Sequence, residues 1–223
     1  MSYYQESLSA DRLERCYEVG PPRVQQYLAA ETRHVLDQIH PTDVVLELGC
    51  GYGRVLSALA AKARQVVGID TSAASLRLGA ELLRDAPNCH LVQMNALALG
   101  FRDQTFDMVV CIQNGLSAFH VDPQTVVREA VRVTRPGGRV LLSSYAAKFW
   151  PHRLEWFRLQ ARHGLLGEID EEATRDGRIV CKDGFTAGTI SPDEFFALAS
   201  GLDIQRITLT EVDESSLFCE IVM

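Results

Sequence analysis

Three glycines spaced two residues apart mark the stretch of this sequence with the clearest chemical potential. They follow the apolar run Val44–Leu48, in which Glu47 is the single charged residue, and they stand at Gly49, Gly51 and Gly53. Glycine permits a tight turn and lets a bound molecule approach the backbone, because no Cβ blocks the way. Apolar residues at helical spacing follow, so the order is strand, turn and helix. In α/β sheets this unit commonly holds a nucleotide-like ligand at the carboxyl ends of the strands.

Polar side chains stand at the ends of the next three predicted strands. Asp70 ends the second apolar run, Asn95 follows the third, and Gln113 and Asn114 follow the fourth. A carboxylate offers two hydrogen-bond acceptors in one plane, which suits the hydroxyl groups of a ligand. A structural role in capping the next helix is the alternative for Asp70. Hydrogen bonds that stabilise a loop are the alternative for the two amides after the fourth strand.

His120 lies just past the fourth strand and is the best-placed candidate for a general base. Imidazole titrates near neutral pH, which suits proton removal under physiological conditions. An ordinary surface or packed histidine is the alternative. The six cysteines are scattered singly, without the spacing of metal or redox motifs, so we predict no metal site.

The elements that position these residues alternate regularly. Apolar runs alternate with helical patterns, which predicts an α/β fold with a Rossmann-like, doubly wound and mostly parallel sheet. Two helices separated by Pro21-Pro22 are predicted before the first strand. The predicted parallel strands cover residues 44–48, 65–69, 90–94, 106–112 and 139–144.

The last third of the chain departs from this rhythm. We predict an aromatic-rich helix that starts near Pro151, followed by a small hairpin within residues 168–190. Ser191 then caps a helix that stops at Gly201. Two further strands would pair as an antiparallel hairpin at the sheet edge and complete a sheet of seven strands. The two strands are predicted at residues 203–212 and 217–223.

Composition excludes several classes of protein. The chain has 223 residues, of which 47% are hydrophobic and 23% charged, as in an ordinary globular domain. No apolar run approaches the roughly 20 residues of a membrane-spanning helix, and the first residues lack the features of an export signal. We therefore expect a cytoplasmic protein without a membrane partner. The net charge of −7 also argues against nucleic acid as a partner.

In this order the motifs resemble those of the class I S-adenosylmethionine-dependent methyltransferases. The resemblance covers residues 43–145, and the ordered set is far more specific than a glycine triplet alone. The glycine spacing also differs from the G-x-G-x-x-G pattern of dinucleotide-binding proteins. The features are Glu47-Leu48-Gly49-Cys50-Gly51-Tyr52-Gly53, Gly68-Ile69-Asp70, Asn95-Ala96 with Leu99 and Phe101, Phe106-Asp107, and the turn Arg135-Pro136-Gly137-Gly138.

The resemblance implies that S-adenosylmethionine is the cofactor. In such enzymes the glycine turn lies against the amino acid end of the cofactor, and the acid that ends the second strand, here Asp70, binds the ribose. The third strand usually ends in aspartate, which binds the adenine amino group, whereas this chain has Asn95 or the backbone of Ala96 for that contact. Asp107 has a structural role in the family. The implied cofactor residues in the first two motifs are Glu47, Gly49, Cys50, Gly51, Gly53, Asp70 and Thr71.

The resemblance also places Gln113 and Asn114 beside the methyl group that is transferred. The N-terminal segment often folds over the cofactor in relatives, so Tyr17 is a candidate contact to the methionine end, with a core position as its alternative. The aromatic residues after the fifth strand are expected to wall the acceptor pocket, or else to form an ordinary amphipathic helix. These aromatic-helix residues are Trp150, His152, Trp156 and Phe157.

We therefore expect one methyltransferase domain over residues 1–223 with a small-molecule acceptor. A sensor module that binds the cofactor without catalysis and an NAD-dependent oxidoreductase are the two other classes that the sequence leaves open. Neither the acceptor nor the oligomeric state follows from the sequence. The predicted parts are a helical lid (1–40), a cofactor-binding core (41–145), a helix and inserted hairpin over the acceptor pocket (146–190), and a terminal helix and strand pair (191–223).

Overall fold

A seven-stranded sheet with helices on both faces forms the body of the protein. The computed structural model describes residues 8–223, and within them the strand order is β3-β2-β1-β4-β5-β9-β8. The strands are β1 (Val44–Leu48), β2 (Gln65–Asp70), β3 (Cys89–Gln93), β4 (Phe106–Cys111), β5 (Thr134–Tyr145), β8 (Arg206–Val212) and β9 (Ser216–Val222), with a separate small pair, β6 (Ile179–Val180) and β7 (Thr186–Ala187).

The first five strands are parallel and the last two are antiparallel. The predicted fold class is therefore confirmed. The chain runs outward from β1 through β2 to β3, returns to β4 on the other side of β1, and continues to β5. This reversal between β1 and β4 opens a crevice at the carboxyl ends of the two strands, where ligands of α/β proteins bind.

Several helices begin directly after capping residues that can be recognised in the sequence. Ser72 accepts a hydrogen bond from the backbone of Ser75, and Asp122 caps the helix that opens with Pro123. Ser191 and Glu194 form a reciprocal capping box. The described helices are α1 (Asp11–Glu18), α2 (Pro22–Leu36), α3 (Leu56–Ala60), α4 (Ala73–Leu82), α5 (Gly115–Ala118), α6 (Pro123–Val133), α7 (Trp150–Arg162) and α8 (Pro192–Ala199), with a 3₁₀ turn at Ala147–Phe149.

The predicted lid over residues 1–40 divides into two different structures. Residues 1–7 lie outside the described part of the chain. Helix α2 buries one face, including Tyr27 and Val35 with no exposed surface, so it belongs to the packed body of the protein. Of the described residues before β1, only those around α1 line the cavity in the crevice.

The strands near the end of the chain differ in detail from the prediction. Strand β9 pairs with β5 on one side and β8 on the other, so of these last two strands only β8 lies at an edge of the sheet. The predicted start of the eighth strand at residue 203 is wrong, because a turn after α8 delays it to Arg206. The turn at 136–138, predicted before β5, lies inside that strand as a break in its register with β4.

Asp107 has the structural role that the sequence indicated. It lies near the start of β4, where its Oδ2 accepts a hydrogen bond of 2.7 Å from the backbone N–H of Val44, and its carboxylate pairs with Arg135. These contacts connect the amino ends of β1, β4 and β5, at the end of the sheet opposite the crevice. Their position leaves Asp107 no access to a ligand at the carboxyl ends.

Arg153 anchors the insertion of residues 167–190 to the core. Its side chain is fully buried and donates hydrogen bonds to three carbonyl oxygens of the insertion, at 2.6 Å to Gly177 and 2.9 Å to Ala187 and Gly188. The guanidinium carbon also lies 4.3 Å from the ring centroid of Tyr145. A buried guanidinium needs such hydrogen bonds to offset its loss of hydration. Because the acceptors belong to the insertion, these bonds hold the insertion against α7.

Two kinds of feature are missing from residues 8–223. No helix in this stretch is both long and apolar enough to cross a membrane. No three potential metal ligands among histidine, cysteine, aspartate and glutamate cluster there either.

We expect Arg153→Met to lower the free energy of unfolding by about 2–4 kcal/mol, because three buried carbonyl groups lose their donor. Urea denaturation measures this change, and limited proteolysis should cleave the variant first within residues 167–190. Arg162→Met, at an exposed position of the same helix, is the control and should change stability by less than about 0.5 kcal/mol. Equal stability of the two variants would contradict the anchoring role.

Candidate ligand site

The crevice at the carboxyl ends of the parallel strands contains a cavity of about 500 Å³. This volume lies within the range of roughly 300–1,000 Å³ typical of small-molecule sites. Eleven of the thirteen residues singled out from the sequence line it, although they come from separate parts of the chain. These residues are Tyr17, Glu47, Gly49, Cys50, Gly51, Asp70, Thr71, Asn95, Ala96, Gln113 and His120.

The glycine turn has a backbone that requires its glycines. Gly49, Gly51 and Gly53 have φ angles of +71°, +56° and +81°, which other residues rarely adopt. A Cβ on Gly49 would also lie 2.4 Å from the ring of Phe119. Gly53 does not line the cavity; its N–H donates to the carbonyl of Cys50 and closes the turn.

Asp70 supports the glycine turn from the end of β2. Its Oδ2 accepts a hydrogen bond of 2.9 Å from the N–H of Gly51, and its Oδ1 accepts one of 2.7 Å from the N–H of Ser72. Burial raises the pKa of the carboxyl, and these bonds lower it. Each oxygen has two lone pairs, so the carboxylate still has capacity for hydroxyl groups of a ligand. The residue that caps α4 is Ser72, not Asp70.

Two side chains of opposite charge line the cavity beside the turn with unpartnered atoms. Glu47 has a buried Oε2, and Arg54 has a buried Nε and Nη2, that form no hydrogen bond with the described residues. Burial raises the pKa of Glu47 to about 7, although the positive charge of Arg54 lowers it. The two groups form no direct ion pair, and Arg54 lies over the ring of Tyr17, 4.9 Å from its centroid.

Gln113 lies at the end of β4 in a strained conformation. Its φ angle is +56°, and the next residue, Asn114, has +60°. The N–H of Gln113 donates to Glu31 at 3.1 Å and to Ser143 at 2.8 Å, which holds this backbone in place. The buried Nε2 of Gln113 has no partner among the described residues, so it is a free donor at the cavity wall.

Glu31 reaches the site from α2 and is completely buried. Its carboxylate accepts a second hydrogen bond from Ser216 at 2.8 Å. Burial raises the pKa of Glu31 to about 7, against the lowering effect of hydrogen bonds from Ser143 and Ser216 and of the charge on Arg54. The carboxyl therefore connects α2, β4, β5 and β9 beneath the cavity.

Asn114 does not reach the cavity, contrary to its predicted place beside the ligand. Its Nδ2 donates to the carbonyl of Gly188 at 3.0 Å, and its Oδ1 accepts from Ser144 at 2.9 Å. Both ends of the amide are thus used inside the protein. The side chain joins β4 and β5 to the insertion.

Asn95 and His120 lie at more open positions of the cavity wall. Asn95 is exposed, and its Oδ1 accepts a hydrogen bond of 3.0 Å from the N–H of Leu97, which leaves its amide nitrogen without a bond to the described residues. His120 is exposed with a φ angle of +52°. It therefore stands at the mouth of the cavity and makes no contact that fixes its imidazole.

Helices α1 and α7 together form one wall of the cavity. Trp156 donates from Nε1 to the carbonyl of Cys16 at 2.7 Å, which fixes one helix against the other. The ring of Tyr17 lies 6.1 Å from that of Trp156 and 6.2 Å from that of Tyr52. Trp156 and Phe157 thus line the cavity as predicted, whereas Trp150 and His152 do not.

Several residues of the site were missed by reasoning from the sequence. Arg54 directly follows the glycine turn, and this adjacency was a usable signal. Glu31 and Gln160 had no such signal, because each looks like an ordinary polar position on a helix. Their role depends on contacts with residues far away in the chain.

The features around the glycine turn fit S-adenosylmethionine. Its amino acid end carries one ammonium and one carboxylate, which match the unpartnered atoms of Glu47 and Arg54 in charge. Gly49 and Gly51 bring the backbone of the turn to the cavity wall, and Asp70 offers acceptors for a diol.

Comparison with known proteins adds independent findings. Residues 45–138 match the family described as "Methyltransferase domain". A ubiquinone biosynthesis O-methyltransferase of Pseudomonas fluorescens is 36% identical over 192 residues, which cover 76% of this chain and 78% of the relative. A demethylmenaquinone methyltransferase of Corynebacterium urealyticum is 37% identical over 120 residues, or 54% of this chain and 49% of the relative. The chain thus spans about half the length of that second relative.

A solved structure shares the fold over almost the whole chain. The PH0226 protein of Pyrococcus horikoshii OT3 superimposes with a TM-score of 0.67 at 20% identity, and the match covers 99% of this chain and 97% of the other. At this level of identity the likeness concerns the fold alone.

The raised pKa of Glu31 predicts a pH dependence of stability. Between pH 4.5 and about 7 the folded state keeps a proton that the unfolded chain has lost, so the free energy of unfolding falls as the pH rises. Glu31→Gln removes this contribution. Relative to that of the wild type, the free energy of unfolding of the variant should rise by on the order of 3 kcal/mol between pH 4.5 and about 7.

Urea denaturation at four pH values between 4.5 and 7.5 measures the effect. Glu47 has a similarly raised pKa and titrates in both proteins, so only the difference between them reports on Glu31. Glu172→Gln, at an exposed position, is the control and should follow the wild type. A constant difference between Glu31→Gln and the wild type at all pH values would refute the prediction.

Proposed function

We propose that this chain, which belongs to the family of S-adenosylmethionine-dependent methyltransferases, transfers a methyl group to a small-molecule acceptor held against α1 and α7. One observation carries the proposal. A single cavity joins the glycine turn, with its unpartnered charges on Glu47 and Arg54, to a second wall of aromatic side chains. The cavity therefore has separate surfaces for a donor and an acceptor.

At the donor end, we assign Glu47 to the ammonium group and Arg54 to the carboxylate of the methionine portion. Charge-assisted hydrogen bonds of this kind are roughly twice as strong as neutral ones. Asp70 is assigned to the ribose hydroxyls, and Asn95 with the backbone of Ala96 to the adenine. Asn95 is exposed, and its Oδ1 already accepts one backbone hydrogen bond, so its contribution to affinity should be small.

S-adenosylmethionine supplies, when bound, a methyl group on a positively charged sulfur. The residues of this chain contribute position and exclusion of water, which account for much of the rate in displacement reactions. Gln113 has a free donor on the wall beside the end of β4 and is assigned to orient the acceptor or the cofactor carboxylate. His120, at the mouth, is available to take a proton from an acceptor that loses one.

A small acceptor agrees with the charge and the dimensions of the site. The net charge of −7 does not favour nucleic acid, and the cavity of about 500 Å³ has to hold both reactants. The two relatives described above carry names from quinone biosynthesis, and the aromatic side chains at the acceptor end suit a ring of that type. We therefore take hydroxylated aromatic compounds as the first acceptors to test.

Calorimetry with S-adenosylmethionine, S-adenosylhomocysteine and NAD separates the proposal from an oxidoreductase. We expect binding of the first two and none of NAD at the same concentration. A panel of hydroquinones and phenols, with detection of S-adenosylhomocysteine, then separates an enzyme from a sensor module. Preference for NAD would refute the cofactor assignment, and cofactor binding without turnover of any acceptor in a broad panel would favour the sensor.

Paired variants test which part of the cofactor each residue binds. Arg54→Met should weaken S-adenosylhomocysteine about tenfold or more, because a hydrogen bond to a charged group is worth about 1.5–3 kcal/mol. The same variant should bind methylthioadenosine unchanged, since this compound lacks the amino acid portion. Asp70→Ala should weaken both ligands by roughly ten- to a hundredfold, because both contain the ribose.

Arg64→Met and Asp85→Ala, at exposed positions, are the matched controls and should bind both ligands like the wild type. Equilibrium titration of the wild type and of each variant with each ligand gives the affinities to compare. Equal weakening of both ligands by Arg54→Met would show that Arg54 acts on the turn and not on the carboxylate.

A further inference from the structure

Gln160 on α7 is a buried polar side chain without a partner. Its residue is 3% exposed and lines the cavity, and its amide forms no hydrogen bond with any described residue. The amide faces the cavity and is not among the side-chain atoms that are sealed from it, so a ligand in the cavity can reach it. Such a group points to a ligand that completes its hydrogen bonds.

The wall that contains Gln160 is mainly aromatic, and hydrogen bonds hold it in place. Trp156 and Phe157 precede it on α7, and both line the same cavity. The hydrogen bond from Trp156 to Cys16 holds α7 against α1, and Arg12 donates to the carbonyls of Gly164 and Leu165 just beyond the helix. A rigid aromatic surface favours a planar ring over a flexible chain.

The charged side chains nearest to this wall are already occupied. Arg153, on the same helix, donates hydrogen bonds to carbonyl oxygens of the insertion. Arg12 is bound to the carbonyls after α7. The unpartnered atoms of Arg54, which lies over the ring of Tyr17, are assigned to the carboxylate of the cofactor. With the cofactor bound, the wall therefore offers a neutral amide and no available charge, which selects against an ionised substituent on the acceptor.

We propose that the cavity wall formed by α1 and α7 binds a planar, uncharged aromatic compound whose ring hydroxyl or carbonyl oxygen is hydrogen-bonded by the side-chain amide of Gln160. Gln160 then determines specificity for the acceptor. The inference rests on the proposed function, because it assigns the acceptor side of the same site. It concerns binding, so it can be tested without turnover.

Equilibrium dialysis of the full chain with two probes tests the hydrogen bond. 2-Naphthol and 2-methylnaphthalene have nearly the same shape, but only the first has a hydroxyl. We expect the wild type to bind 2-naphthol at least tenfold more tightly, because the apolar probe leaves the amide unpaired. In Gln160→Met, which keeps the length of the side chain, the ratio should fall below threefold. Gln124→Met, at an exposed position, should retain the wild-type ratio.

Gln160→Asn provides a second variant in case the methionine disturbs α7. Its side chain keeps an amide but is shorter by one methylene group. The ratio of the affinities for 2-naphthol and 2-methylnaphthalene should therefore fall at least threefold. An unchanged ratio in the variant that folds, or equal binding of both probes by the wild type, would overturn the proposal. Tighter binding of 2-naphthoate than of 2-naphthol would overturn the requirement for a neutral ligand.

The dialysis is carried out with and without saturating S-adenosylhomocysteine, and binding of that compound is measured separately. Failure of the wild type to bind S-adenosylhomocysteine would count against the proposed function. Normal binding of S-adenosylhomocysteine together with an unchanged probe ratio would count against the role of Gln160 alone. The two failures are therefore distinguishable.

Discussion

The field of Arg54 on two buried carboxyl groups is the constraint on which the site depends. Glu31 and Glu47 come from different elements, and burial raises the pKa of each to about 7 while the charge of Arg54 lowers both. One guanidinium thus faces two acids in a poorly solvated space. A positive charge bound beside these acids offsets the cost of their ionisation, and S-adenosylmethionine carries positive charge on its sulfur and its ammonium group. The two carboxyl groups therefore suit a cationic donor when they are ionised.

The same carboxyl of Glu31 connects the site to the rest of the sheet. Its hydrogen bonds to Gln113 and Ser216 join α2 to the ends of β4 and β9. The left-handed backbone at Gln113 persists because these bonds and the one to Ser143 hold it. Movement of α2 would break this network, so α2 belongs to the support of the site, whereas α1 covers it.

The sequence predicted the fold and most of the residues that line the cavity near the glycine turn, because both depend on local signals. Strand periodicity, caps and the glycine turn can be read within windows of a few residues. Glu31 could not be predicted, since its partners lie 82 and 185 positions away in the chain. Asn114 was placed at the correct strand end but assigned the wrong environment. Its amide turns inward because Ser144 and Gly188 supply partners that no local pattern reveals.

The predicted hairpin over the acceptor pocket does not line the cavity, because the insertion packs behind α7 and the end of β4. Arg153 and Asn114 both donate to the carbonyl of Gly188, from α7 and from the end of β4, so the insertion is attached to the two elements that border the cavity. A wall attached in this way has a fixed shape before the acceptor arrives. Selectivity then comes from the fit of a rigid ring and from the cost of leaving a buried amide unpaired, and little binding energy is consumed in closing a loop. In the proposed function, the acceptor end therefore relies on a wall held in place by hydrogen bonds and not on the closure of a lid.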